Sequence, residues 1–234
     1  MDHRRAKPRL APLRKQRAAL AATALAALAL TACGAIPPVA VTDPLQLDGK
    51  QVAVAFGAAQ ATAGLGPAAV PGSGGGTFAF DDVPMQDLPL TPGRLTNDLG
   101  IARATLDAGE GGAPETITLS DLRLEVQAWQ GAADFASAAP ADRFAFVITS
   151  AGPVTLTRGQ CDAASCQYSH AGSELAFGTV GLTGADVAAA LRVGTRAPEP
   201  NQMSLGLTLS AAPDELAGRT LTLELDAAAG SVGL

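Results

Sequence analysis

Large apolar side chains recur at every second position along Met203, Leu205, Leu207 and Leu209, and again along Leu221, Leu223 and Leu225 against Thr222, Glu224 and Asp226. A period of two constrains the fold more than any other feature here, because alternate residues of an extended chain point to opposite faces. The same alternation runs through Val52, Val54 and Phe56, through Phe78 and Phe80, and through Leu122, Leu124 and Val126. It returns in Phe144, Phe146 and Ile148, in Val154 and Leu156, and in Leu175 and Phe177. Each segment has one apolar and one wetter face, which argues against a doubly wound parallel sheet, whose strands are apolar throughout. Turn-forming clusters punctuate the strands: Gly72–Gly76 (GSGGG), Pro92-Gly93, Gly111-Gly112, Ala151-Gly152-Pro153 and Ala212-Pro213-Asp214. The expectation is an all-β domain over residues 51–234, an antiparallel β-sandwich with at most one or two short helices.

One helix is expected, over Gly184 to Val193. Thr183 is placed to cap it, Asp186 puts a carboxylate in the first turn, and Gly194 supplies a stop. Val187 and Leu191, four apart, would face the sheet together. A division into two domains near residues 132–141, a small-residue stretch, gains no support from any repeat between the halves.

The amino-terminal end follows different rules. Residues 1–32 hold seven Lys and Arg against one acid, Asp2, and Ala18–Leu30 are thirteen residues without a charge. Such a helix would be about 20 Å long, short of the ~30 Å hydrocarbon core of a bilayer. With Thr23 as the one polar residue in the run, it has no polar stripe for a globular helix either. A basic start and a short apolar run have the layout of a secretory signal peptide, residues 1–32. Arg4-Arg5 invites a twin-arginine export reading, but the residues that follow, Ala6, Lys7 and Pro8, do not fit it.

Leu30-Thr31-Ala32-Cys33 then resembles the lipobox of bacterial lipoproteins: an aliphatic residue, two small ones and a cysteine. The resemblance covers these four residues and the signal peptide, and does not extend to the folded part. It implies a diacylglyceryl thioether on Cys33, cleavage before it, and palmitate-type acylation of the new amino group. The partner so implied is a lipid bilayer, since two or three acyl chains, at ~0.8 kcal/mol per buried CH₂, hold a protein durably on a membrane. Gly34, where an Asp would retain the protein at an inner membrane, implies the outer membrane in a cell that has one. Residues 33–50, with Pro37, Pro38 and Pro44 and no sustained period, read as a semi-extended tether.

Beyond residue 32 the chain carries nine basic and 21 acidic side chains, a balance of −12. Phosphate would be repelled by such a surface, so nucleic acid is not an expected partner.

Two cysteines remain, Cys161 and Cys166, bracketing Asp162-Ala163-Ala164-Ser165 between strand-like segments. In a hairpin they would lie opposite one another at a separation a disulfide spans, and export supplies the oxidising compartment. Closing so short a ring contributes only ~2 kcal/mol, so the bridge would pin a loop. Neither a metal site nor a redox site fits this spacing as well. His170 follows at C-x4-C-x3-H, but a fourth soft ligand is lacking and the spacing is not a usual zinc pattern. A redox site would more often show C-x-x-C.

The catalytic inventory is thin. His170 is the one histidine left after the signal peptide, and Ser169 and Ser173 beside it do not make a triad without an orienting acid. There is no G-x-S-x-G elbow. Gly72–Gly76 lacks a following Lys-Ser/Thr and reads as a flexible loop, not a phosphate cradle. Asp81, Asp82 and Asp87 form no calcium-loop pattern. With 4% aromatic residues, the chain is poor in the stacking platforms that sugar sites use.

Three functional readings follow. The first is a membrane-anchored envelope lipoprotein whose domain is a non-enzymatic binding or structural module for an envelope protein or glycan, needing no cofactor and no metal. The second is a hydrolase of envelope polysaccharide or peptide, with Asp81, Asp82, Asp121 and Glu125 as candidate acids. The third is an apolar-ligand carrier, which requires a hollow lined by Leu and Phe.

Overall fold

The computed structural model describes residues 37–58, 69–79, 92–107, 112–170, 176–195 and 201–233. Residues 1–32, expected to be a signal peptide, lie outside the described residues with Cys33 and Gly34, as do Phe80, Asp81, Asp82, Asp87, Ser173 and Leu175.

Among the described residues, twelve strands are joined antiparallel: β1 (Val39–Thr42), β2 (Gln51–Phe56), β3 (Val70–Ala79), β4 (Arg94–Asp107), β5 (Thr116–Trp129), β6 (Arg143–Thr149), β7 (Val154–Cys161), β8 (Ser165–His170), β9 (Gly178–Thr183), β10 (Gln202–Ala212), β11 (Thr220–Asp226) and β12 (Ala229–Gly233). Helix α1 (Ala185–Thr195) follows β9. The all-β antiparallel architecture that the period of two predicts is the one observed.

The strand order runs β4-β11-β2-β3-β10-β5-β7-β8, and β8 pairs back onto β4 from Ala104↔Tyr168 to Asp107↔Ser165. At this end, where β4 finishes and β5 begins, the strands form a closed ring of eight. At the opposite end the ring opens into two sheets. One is β1-β12-β4-β9, built on Arg94–Leu99, and the other is β6-β5-β10-β3. Helix α1 packs against both β6 and β9, between the two sheets.

Bulges make the change from ring to paired sheets. Inward residues of β5 are odd-numbered at Ile117 and Leu119, then even-numbered from Leu122 to Ala128, with Asp121 between them at φ 53°. In β4 the inward set passes from Leu95, Asn97, Leu99 and Ile101 to Ala104 and Leu106, and its register with β11 shifts between Glu224 and Leu225. An extra residue bends a strand and raises its twist, so each long strand serves both halves of the domain.

The core is built from the inward faces of the strands, with Met203, Leu205, Leu207 and Leu209 of β10 and Leu221, Leu223 and Leu225 of β11 in one buried cluster. Burying each such side chain is worth roughly 1.5–3 kcal/mol.

Three sequence expectations are corrected. The glycine run Gly72–Gly76 is not a loop but the middle of β3. A side chain has no room there: a Cβ at Gly74 would lie 1.8 Å from the Ala53 carbonyl oxygen, and one at Gly72 would lie 2.8 Å from the Phe56 ring. Glycine in this strand marks close approach by neighbours.

Residues 39–50 are not tether. Val39–Thr42 pair with β12, and Leu45 and Leu47 are 1% and 0% exposed in the core. The turn between them is built by Asp43, whose carboxylate accepts the Leu47 N–H at 2.8 Å, and burial raises that carboxyl's pKa above its ordinary value. Apolar residues in a turn follow no period, which hid them among the prolines.

Helix α1 starts one residue later than expected. Gly184, at φ 56°, is the cap whose carbonyl accepts the Ala188 N–H, while Thr183 is still paired with Arg94. The helix also runs past Gly194, and its buried stripe is Val187, Ala190 and Val193, with Leu191 at the margin.

Candidate functional site

A cavity of about 440 Å³ opens on the outer surface at the closed end of the ring, lined by Gly112–Thr116, Thr118, Ala212, Pro213 and Glu215. Strand pairing creates it. Ala212, the last residue of β10, lies opposite Thr118 near the start of β5, so the entry to one strand and the exit of the other share a wall. Ile117 and Leu119 point into the core, which turns Thr116 and Thr118 outward toward the cavity.

The loop before β5 is held from beneath by three side chains on three successive carbonyls. Arg219 Nη1 donates to Gly112 O at 2.8 Å, Arg158 Nη1 donates to Ala113 O, and Tyr168 Oη donates to Pro114 O at 2.6 Å. Arg219 is 7% exposed, and a charge that deep requires partners. It also donates to the Asp107 carbonyl, and its Nε lies 3.5 Å from Asp107 Oδ1. Burial raises the Tyr168 phenol above its ordinary pKa, partly offset by the positive charges of Arg158 and Arg219. With these groups engaged below, the wall of the cavity keeps a fixed shape.

The polar side chains lining the cavity are Glu115, Glu215, Thr116 and Thr118, and none of the lining residues is Lys, Arg or His. Such a wall is rich in acceptors. It suits a ligand that brings donors: an ammonium, a guanidinium or a set of hydroxyls.

Cys161 and Cys166 are brought together at the same end, at the tip of the β7–β8 hairpin. Their sulfurs are 2.01 Å apart and their Cα atoms 4.1 Å. Asp162 closes the turn between them, its carboxylate accepting the N–H groups of Ala164 and Ser165 at 2.7 and 2.8 Å. Those bonds to the charged form hold its pKa below the usual carboxylate range.

Among the described residues, the remaining candidates do not converge. His170 ends β8, with Nδ1 3.1 Å from the Thr155 carbonyl oxygen. Asp121 is exposed in the β5 bulge, while Glu125 is bound by Arg123 at 3.1 Å and Gln127 at 2.9 Å. Among the described residues no three His, Cys, Asp or Glu side chains gather at a point where a metal could bind. Nor is any described helix long and apolar enough to cross a membrane.

Two features carry no signal in sequence. The cavity joins segments about a hundred residues apart. Asn97, fully buried in β4, donates to Ala227 O at 2.7 Å and Ala229 O at 3.0 Å, and accepts from Leu45 N at 3.3 Å. Compared with family models, curated proteins and solved structures, the chain matches none.

Proposed function

We propose that this chain is an exported bacterial lipoprotein, held on the cell envelope by acyl chains on Cys33, whose β domain is a non-enzymatic binding or structural module. The observation that carries the reading is the four-residue run Leu30-Thr31-Ala32-Cys33 directly after thirteen uncharged residues. The outer membrane is the proposed location, on the strength of Gly34. The cleft at the closed end is the proposed contact for an envelope protein or glycan, since its acceptor-rich wall suits basic side chains or sugar hydroxyls. The disulfide and the three side chains beneath the Gly112–Pro114 loop support a rigid recognition surface. A carrier of apolar ligands draws no support from this cleft, whose walls contain neither Leu nor Phe.

The test is mass spectrometry of the membrane fraction. A product that begins at Cys33 and carries diacylglyceryl mass is expected, and Cys33→Ser should yield an uncleaved or soluble product. A protein that still pellets with vesicles at unchanged size after that substitution overturns the anchor.

A second reading has one observation in its favour: Glu115 and Glu215 line a single concavity, as a hydrolase with paired carboxylates requires. Turnover of peptidoglycan or envelope glycan abolished by E115Q or E215Q would establish it. Unaltered binding with no turnover would favour the module.

A further inference from the structure

The chain enters the fold at the end farthest from the cleft. Val39 opens β1, pairs with Val232, and sits at the open end with the start of β4, where Gly233 pairs Arg94. Because residues 39–50 belong to the sheet and core, the tether between Cys33 and the first strand shrinks to Gly34–Pro38, five residues. Fully extended, these span about 17 Å.

That reach is short beside the domain. β4 and β5 are each fourteen residues long. At ~3.3 Å per residue and the tilt of a closed ring, they extend roughly 35 Å between the two ends. A domain leashed so closely by one end cannot turn the other end to the surface without folding back over its own anchor.

Charge agrees with the leash. The closed end exposes Asp107, Glu115, Asp162, Asp214 and Glu215, five acids against the exposed Arg158 beside Glu115. Around the chain entry, Pro38, Val39 and Ala40 are exposed and uncharged, Val39 being 51% exposed; the exposed Arg94 lies two strands away, and the exposed Asp186 follows three residues after its partner Thr183. Opposed to anionic headgroups, the acidic end is repelled more strongly than the near-neutral, apolar edge at the chain entry.

We infer that the open end, from Pro38 to Ala40 with Arg94, is a membrane-contacting surface whose partner is the lipid headgroup layer, and that the cleft and disulfide tip are thereby presented away from the bilayer. This rests on acylation of Cys33 as proposed above. It adds a fixed orientation, which acylation alone does not impose.

The experiment uses the acylated full-length product in vesicles of phosphatidylethanolamine and phosphatidylglycerol carrying a headgroup energy acceptor. A donor dye is attached at Ala40→Cys or at Ala163→Cys, both exposed positions. Transfer is expected to be several-fold more efficient from position 40 than from position 163. A long Gly/Ser spacer inserted after Gly34 should erase most of that difference. Mass spectrometry of the Cys33 peptide on the same samples separates the two claims. Acylated Cys33 with equal transfer from both sites overturns the orientation and leaves the anchor intact, whereas unmodified Cys33 overturns both.

Discussion

The carboxamide of Asn97 donates to the carbonyl of Ala227 at 2.7 Å, inside a core where Asn97 has no solvent exposure. The bond sits where β11 ends and β12 has not begun, and the same side chain reaches Ala229 O and receives Leu45 N. One residue thus binds three backbone groups, two at the β11–β12 junction and one in the turn before β2. Asn97→Ala strands those groups, each at a cost of about 1–3 kcal/mol. The expected loss in urea unfolding is therefore about 3–5 kcal/mol, larger than a surface truncation produces. Asn97→Asp keeps the shape but offers no donor when ionised, so its deficit should shrink as pH falls and the buried carboxyl takes up a proton. A loss under 1 kcal/mol for N97A would show that water replaces the amide.

Gly74→Ala is expected to prevent folding or cost several kcal/mol. Its Cβ would meet the Ala53 carbonyl oxygen at 1.8 Å, and backbone cannot withdraw as a flexible side chain can. Gly152→Ala, with nothing within 4 Å of the new atom, is the matched control. Equal melting temperatures for the two variants would contradict the close approach of β2 and β3.

What was legible in the sequence follows from where side chains must alternate. Leu205 or Leu223 can be assigned to an inward face because a strand permits no other arrangement, whereas the bulge at Asp121 interrupts the alternation and shows only in the structure. Gly72–Gly76 misled because absent side chains read as freedom, whereas here they admit Phe56 and the neighbouring backbone. Leu45 and Leu47 were hidden because a turn buries residues without a period. Asn97, between Thr96 and Asp98, has the composition of a turn and gives no hint of a buried amide. The cleft was illegible for a simpler reason: residues 112–118 meet 212–215 only after β5 has found β10.

Tyr168 is the one tyrosine, so its ionisation can be followed by absorbance without interference. Burial holds its folded pKa above the ordinary value, about 10. The unfolded chain therefore loses the phenolic proton first, and between the two values it binds fewer protons than the native state. Stability contributed by the neutral phenol is complete below about pH 10 and is lost as pH rises through the folded value. Tyr168→Phe should flatten that alkaline decline and cost about 1 kcal/mol at neutral pH, through the lost bond to Pro114 O. A native titration midpoint at or below that of the urea-unfolded chain would refute the assignment.

Reducing the Cys161–Cys166 pair should cost about 2 kcal/mol, because the ring it closes is short. The change should be local. Amide exchange would quicken in β7 and β8 while the strands around Leu205 and Leu223 keep their protection. Asp162 contributes above the ordinary carboxylate pKa and stops contributing as pH falls through its depressed folded value, so the hairpin should loosen first in acid. Free thiols that alkylate readily in the native, air-purified protein would rule out the bridge.

Leu45→Ala and Leu47→Ala test whether the domain begins before residue 51. Were residues 33–50 a spacer, both changes would be silent. In the core, where the two side chains are 1% and 0% exposed, each truncation should cost about 2–5 kcal/mol by lost burial and the cavity left behind. The pair lies close in sequence and shares the turn set by Asp43, so the double variant is expected to depart from additivity. Inserting Gly and Ser before Pro38, by contrast, should leave the unfolding midpoint unchanged, since Pro37 and Pro38 are exposed and precede the first paired residue. Two leucine variants as stable as the parent, by chemical denaturation followed through the one tryptophan, Trp129, would return those residues to the tether.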